Sequence, residues 1–211
     1  MSKSPGYRGL RRTANRRAIM DAAEELFGLH GFMAVSVDEV TARAGVAKGT
    51  FYNHFIDKTD VANQIAFEIR QDMRSRIAAI KSINSDPASH LAIAMCLFLL
   101  LATEQPNRAQ ILVTLMNNPT DVNSPMNAPV RFTLQNGMES RRFRLTSIEA
   151  SLIIILGIVS AGIRHIIEQP SDEDEFRVAE LVVHALCSLG VEWEDARKVV
   201  ADTLPLCRGV Q

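Results

Sequence analysis

Twelve consecutive apolar residues at 91–102, from Leu91 through Cys96 and Phe98 to Ala102, constrain this chain more than any other feature. The run is too short to cross a bilayer, which needs about 18–20 residues. A helix that is apolar on every side must instead be covered on every side by protein. A second stretch, 152–163, comes close, but Ser160 interrupts it and Glu149 and Arg164 bracket it. Both read as helices buried in protein, and no membrane partner is expected.

The remaining periodicity is helical too. Ile19, Ala22, Ala23, Leu26 and Phe27 fall at i, i+3, i+4, i+7 and i+8, one apolar stripe on a helix over residues 13–30 that Gly31 ends. Asp57 caps a longer helix over 58–81, carried by Val61, Ile65, Ile69, Met73, Ile77 and Ile80. Further helices are predicted at 90–103, 107–117, 130–140, 147–169, 173–189 and 193–204. Between them stand Ser85-Asp86-Pro87, Pro106, a proline-interrupted loop at 117–129, a basic connector at 141–146, Pro170-Ser171-Asp172 and Gly190. No strand-like alternation of useful length and no internal repeat occurs. The chain reads as all-α, with about nine to ten helices.

At 211 residues, 47% hydrophobic and 22% charged, it is long enough to bury a substantial core and ordinary for a soluble globular protein. The net charge of −1 is uninformative, but its distribution is not. Residues 1–17 hold Lys3, Arg8, Arg11, Arg12, Arg16 and Arg17 without an acid, and residues 1–11 read as a mobile basic arm. A basic end on a mildly acidic body points to nucleic acid at the N-terminus. No secretory leader is expected, because no apolar stretch follows the basic start. Cys96, Cys187 and Cys207 are far apart and lack metal-ligand spacing, so neither a disulfide framework nor a metal is expected, and a reducing, cytoplasmic setting fits.

Residues 31–58 hold two short helical patterns with a tight turn between them. The first starts at Ser36, with Glu39 three residues on, the spacing of a capping box. Val37 and Val40 supply its apolar side, and Ala44-Gly45-Val46 breaks it. In the second, Phe51 and Phe55 lie one turn apart, with Tyr52, Asn53 and His54 around the other side. Two short helices joined by a Gly-containing turn describe a helix-turn-helix, whose second helix enters the DNA major groove.

Residues 12–62 closely resemble the DNA-binding domain of the TetR/AcrR family of bacterial transcriptional regulators. The residues that carry the resemblance are Ile19, Ala22, Ala23, Leu26, Phe27, Gly31 and Phe32, then Val40, Ala44, Gly45 and Val46. Lys48, Gly49, Thr50, Tyr52, Phe55 and Lys58 complete it. It implies a helix-turn-helix domain at 1–57, a ligand-binding and dimerisation domain at 58–211, and a dimer on a near-palindromic double-stranded operator. Thr50, Tyr52 and Asn53 are implied to approach bases or phosphates, with Gly49 letting the backbone come close. Asn53 has the donor–acceptor pair an adenine edge needs. His54 and Lys58 are expected at phosphates, and Ser36 is a further candidate. Lys48 reads equally as a contact or a solvated charge. Arg11, Arg12 and Arg16 reach the backbone or minor groove, or belong to an untethered arm. The family usually places Ser or Thr where Ala47 stands, so one cap is missing.

In the C-terminal part, Phe98, Met116, Phe132 and His165 are the expected cavity walls for a small apolar effector, aromatic and Met side chains suiting adaptable pockets. For the dimer, the family's use of its last two long helices and the spacing of small residues point to Gly157, Ala161 and Arg164, with Leu181, Ala185 and Ser188 on the companion helix. The reading is a ligand-responsive regulator, most simply a repressor, without a cofactor. A C-terminal domain that binds a protein partner is the alternative. A helical enzyme finds no nucleophile–base pair, metal spacing or phosphate loop, and residues 157–162 lack the Gly-x-Ser-x-Gly order of a hydrolase elbow.

Overall fold

The computed structural model describes residues 7–81, 85–115 and 124–208. Among them run ten α-helices and no strand: α1 Tyr7–His30, α2 Val37–Ala44, α3 Lys48–Tyr52, α4 Lys58–Lys81 and α5 Pro87–Glu104. These are followed by α6 Pro106–Leu115, α7 Ala128–Glu139, α8 Ile148–Glu168, α9 Asp174–Ser188 and α10 Trp193–Arg208. A short 3₁₀ turn, Pro125–Asn127, precedes α7.

Helix starts follow the sequence signals closely. Ser36 accepts the Glu39 N–H at 3.2 Å while the Glu39 carboxylate accepts the Ser36 N–H at 2.7 Å, the reciprocal cap that sets α2. Asp57 and Asp60 do the same for α4, where Asp57 accepts from the Asp60 N–H and Asp60 from the Ile56 N–H. Asp86 caps α5 and Ser147 caps α8.

Three boundaries differ from expectation. α1 begins at Tyr7, so Arg11 and Arg12 lie on a helix and not on an arm. Thr13, expected near the helix start, turns its hydroxyl back to the Gly9 carbonyl four residues earlier. α5 starts at Pro87 instead of His90, because Asp86 followed by Pro at N1 is itself a start signal. α10 runs through Pro205 to Arg208. Proline removes one helical hydrogen bond, but Leu204 before it and Cys207 beyond it are buried, α10 packs on α5, and Arg208 pairs with Glu175.

α5 is the centre of the molecule, covered by α4, α6, α7, α8, α9 and α10, which is how its all-round apolar surface leaves water. Cys96 of α5 and Cys207 of α10 are free, buried thiols, and the neighbouring Cys207 thiol, with burial, pushes the Cys96 thiol up. α1 lies against α2, α3, α4 and α6. Its approach to α6 is close: a Cβ on Gly28 would stand 2.2 Å from the Asn107 side chain. Nearby Arg108 faces Glu24 at 3.6 Å. α8 is half covered, with Ile153, Ile154, Gly157 and Ala161 left on its outer side.

Candidate nucleic-acid interface and ligand cavity

α3 divides its surface as a docked helix must. Phe51 and Phe55 are buried with Phe27, and the Phe51 and Phe55 rings lie 5.8 Å apart. On the outside, Tyr52 is 54% exposed, and Asn53, Gly49 and Lys48 are exposed as well, with Thr50 half-buried. Gly45, at φ +66, makes the left-handed turn between α2 and α3 that aims this surface outward. A Cβ on Gly49 would meet nothing within 4 Å, so the fold itself does not require that glycine. Ala47 stands at the α3 cap in extended conformation with no side-chain bond.

Charge gathers at one end of α3. Arg12 and Arg16, one turn apart on α1, lie close enough to His54 to act on its imidazole. Burial first, and then these two charges, hold the His54 pKa below its ordinary value. The Arg16 guanidinium sits 5.3 Å above the Phe55 ring, which fixes the turn of α1 that carries it. Arg11 is exposed on the same turn, and Ser36 is exposed at the start of α2. Lys48 pairs with Asp38 at 2.6 Å across two exposed side chains, a weak contact that a stronger anion can displace.

Lys58 is a correction. Its ammonium donates to the carbonyls of Phe32, Met33 and Val35 at 3.0, 3.2 and 2.8 Å and lies 4.8 Å from the Phe32 ring. All three donors are spent inside the protein, tying the start of α4 to the loop before α2, so a phosphate finds none of them free.

A cavity of about 150 Å³ lies among α4, α5, α6, α7 and α8. Met95, Phe98, Leu112, Val130, Leu156 and Val159 form its apolar wall, and Arg70, Arg74, His90, Asn127 and Thr133 supply polar groups. Of the expected wall residues among those described, only Phe98 is there. Phe132 is 62% exposed, one position away from the lining Thr133, and His165 is exposed on α8. Met116 lies outside the described residues. The same rotational error affects α9: Ala185 is fully buried in its own chain, so it cannot meet a partner. Leu181 is half-buried beside Gly162, while Gly157, Ala161, Arg164 and Ser188 are exposed. Sequence reasoning missed Arg70 and Arg74. Their signal was legible as two cations one turn apart, with Ile77 continuing their row, beside the apolar stripe of α4.

Comparison with known proteins meets this geometry at the N-terminus first. Residues 19–65 match the family model described as "Bacterial regulatory proteins, tetR family". An HTH-type transcriptional regulator of Staphylococcus aureus is 32% identical over 72 residues, 34% of this chain and 37% of that one. The HTH-type transcriptional repressor DhaR of a Mycobacterium species is 32% identical over 68 residues, 32% of this chain and 34% of its own. The chain thus spans little more than a third of the curated relatives it matches. Solved structures share the whole architecture. RolR bound to resorcinol superimposes with a TM-score of 0.70 at 21% identity, covering 93% of this chain and 97% of that one. A gamma-butyrolactone receptor (ArpA-like protein) gives 0.65 at 19%, covering 95% and 99%. Residues 19–65 thus match the TetR family of bacterial regulatory proteins, and the helical body behind them shares the fold of these solved structures.

Proposed function

We propose that this protein is a dimeric, ligand-responsive transcriptional regulator, most simply a repressor, divided into a DNA-binding part at 1–57 and a ligand-binding and dimerisation part at 58–211. The observation that carries the reading is the split surface of α3: Phe51 and Phe55 buried, Tyr52, Asn53 and bare Gly49 turned outward. Thr50, Tyr52 and Asn53 read base edges, Gly49 admits the duplex, and Arg11, Arg12, Arg16, His54 and Ser36 take phosphates. Two such helices in successive major grooves, about 34–36 Å apart, call for a near-palindromic operator. Such a role places the protein in the cytoplasm with its DNA.

Dimerisation is supported by the outer face of α8, where Ile153, Ile154, Gly157 and Ala161 leave apolar surface open, and by the neighbouring α9, on which Phe176 and Ser188 are exposed as well. Effector control is supported by the cavity and by α4, whose first turn is tied by Lys58 to the DNA-binding part and whose later turns line the cavity. A ligand that binds one position of α4 better than another shifts the spacing of the two α3 helices. RolR, crystallised with its ligand resorcinol, and the gamma-butyrolactone receptor lend weight to a small-molecule effector. The test is fluorescence anisotropy with the duplex upstream of the protein's own gene. Sequence-selective binding that weakens steeply with salt and is reduced in Tyr52→Ala, with the far-UV spectrum unchanged, is expected. Binding indifferent to sequence would overturn the reading.

A further inference from the structure

The cavity combines two chemistries. Its wall is apolar, while its α4 side carries Arg70 and Arg74 one turn apart, and among the described residues no Asp or Glu lines it. Arg70 is half-buried, and among the described residues no hydrogen bond, ion pair or ring contact engages it. Arg76, Arg108, Arg142 and Arg177 are half-buried as well, and each faces a carboxylate: Glu104, Glu24, Asp86 with Asp195, and Asp174. Among the described residues, Arg74 bonds only the neutral Gln71 amide. Burial, reinforced by the charge of Arg74, pushes the Arg70 guanidinium down to about 10.

A guanidinium withdrawn from water without a counter-charge is unfavourable, and an anion entering beside it relieves that cost. The planar fork of Arg also selects its partner, since a carboxylate accepts two parallel N–H bonds from it. Volume sets the rest of the ligand. A cavity of about 150 Å³ has room for a single benzene-sized ring.

From these observations we propose that the cavity takes a small organic acid, its carboxylate held by Arg70 with Arg74 beside it and one ring or a short alkyl chain among Met95, Phe98, Leu156 and Val159. This rests on reading the cavity as the effector site and names the class of effector. Thr133 and His90 also line this chamber.

The test is calorimetric titration of the full chain with benzoate, phenylacetate and hexanoate against their amides, with release of the bound duplex followed in parallel. The acids should bind at least tenfold more tightly than the amides. Arg70→Met should remove that preference while leaving amide binding unchanged, and Arg70→Lys should restore part of it. Thermal melting of ligand-free Arg70→Met, expected at or above the parent temperature, establishes that the variant is folded. Amides that bind as tightly as acids, or an Arg70→Met variant that keeps the acid preference, would overturn the assignment. If both classes bind alike and release DNA, only the acid assignment falls. If acids bind through Arg70 and DNA is unaffected, the assignment stands and the effector reading falls. No binding by either class overturns both.

Discussion

At Gly49 the backbone of α3 is bare, and neither strain nor crowding inside the molecule accounts for it. Its φ is not in the left-handed region, unlike that of Gly45, and no atom stands within 4 Å of the missing Cβ. A glycine there lowers helix stability relative to alanine by up to ~1 kcal/mol, so its use lies outside the fold. Gly49→Ala is therefore expected to leave the melting temperature unchanged or higher and to weaken operator binding roughly tenfold, ~1.4 kcal/mol. Anisotropy and thermal melting on the same preparation check it, and full affinity would place Gly49 away from the duplex. His54 supplies a pH signature. Its folded pKa lies below the ordinary 6.5, chiefly through burial and then through Arg12 and Arg16. Above pH 6.5 the imidazole is neutral in both states and adds nothing to the pH dependence. Below it the unfolded chain takes the proton first, so stability falls until the folded pKa is passed. His54→Gln should flatten the decline in melting temperature between pH 7 and pH 5, and an unaltered profile would assign that decline to other groups.

Helix ends in this protein are decided within four residues, and α2 and α3 show both outcomes. Ser36 gives α2 a reciprocal cap with Glu39, whereas Ala47 gives α3 none. The Ala47 backbone already has the extended geometry of an N-cap, so a hydroxyl there needs no rearrangement. Ala47→Ser should stabilise the protein by ~1 kcal/mol, a rise of roughly 2–4 °C in a chain of this size, measured by calorimetry. No rise would mean that the amides of α3 are already satisfied by water. Such local rules made the starts of α2, α4 and α8 legible in advance. They failed where packing overrode them, at Pro205, because burial of Leu204 and Cys207 outweighs one lost backbone bond.

For the whole molecule the question is which surfaces remain open once the ten helices of the described residues have packed. Gly162 of α8 faces inward, with Leu99 and Leu181 within 3 Å of a Cβ built on it, while Gly157, five residues earlier, faces open space. A bulky side chain is thus tolerated by one chain at 157 but not by a second helix laid against it. Gly157→Leu is expected to keep the melting cooperative and the helical content unchanged while shifting the protein toward monomer in sedimentation at low concentration. An unchanged sedimentation coefficient would move the interface off this face. A monomer would also bind its operator more weakly, since the two half-sites no longer act as one.

Order along the chain, the positions of nearly all the helices and the DNA-binding motif were determined by the sequence alone. Each rests on short-range physics: a cap, a left-handed glycine, an apolar stripe with a polar back. The buried and outward faces of α3 were legible because Phe51 and Phe55 stand one turn apart with Tyr52 and Asn53 opposite. Where a helix is apolar on every side, that information is missing. α8 carries isoleucines toward α5 and toward solvent alike, so its sequence could not say that Ile155 and Val159 line a cavity while Ile154 and His165 face out. Rotation about the helix axis is set by which neighbours fill the space, and that is a property of the packed molecule. The same holds for Arg70 and Lys58: one lysine spends its charge on three carbonyls, one arginine keeps its own for the cavity, and only tertiary structure separates them.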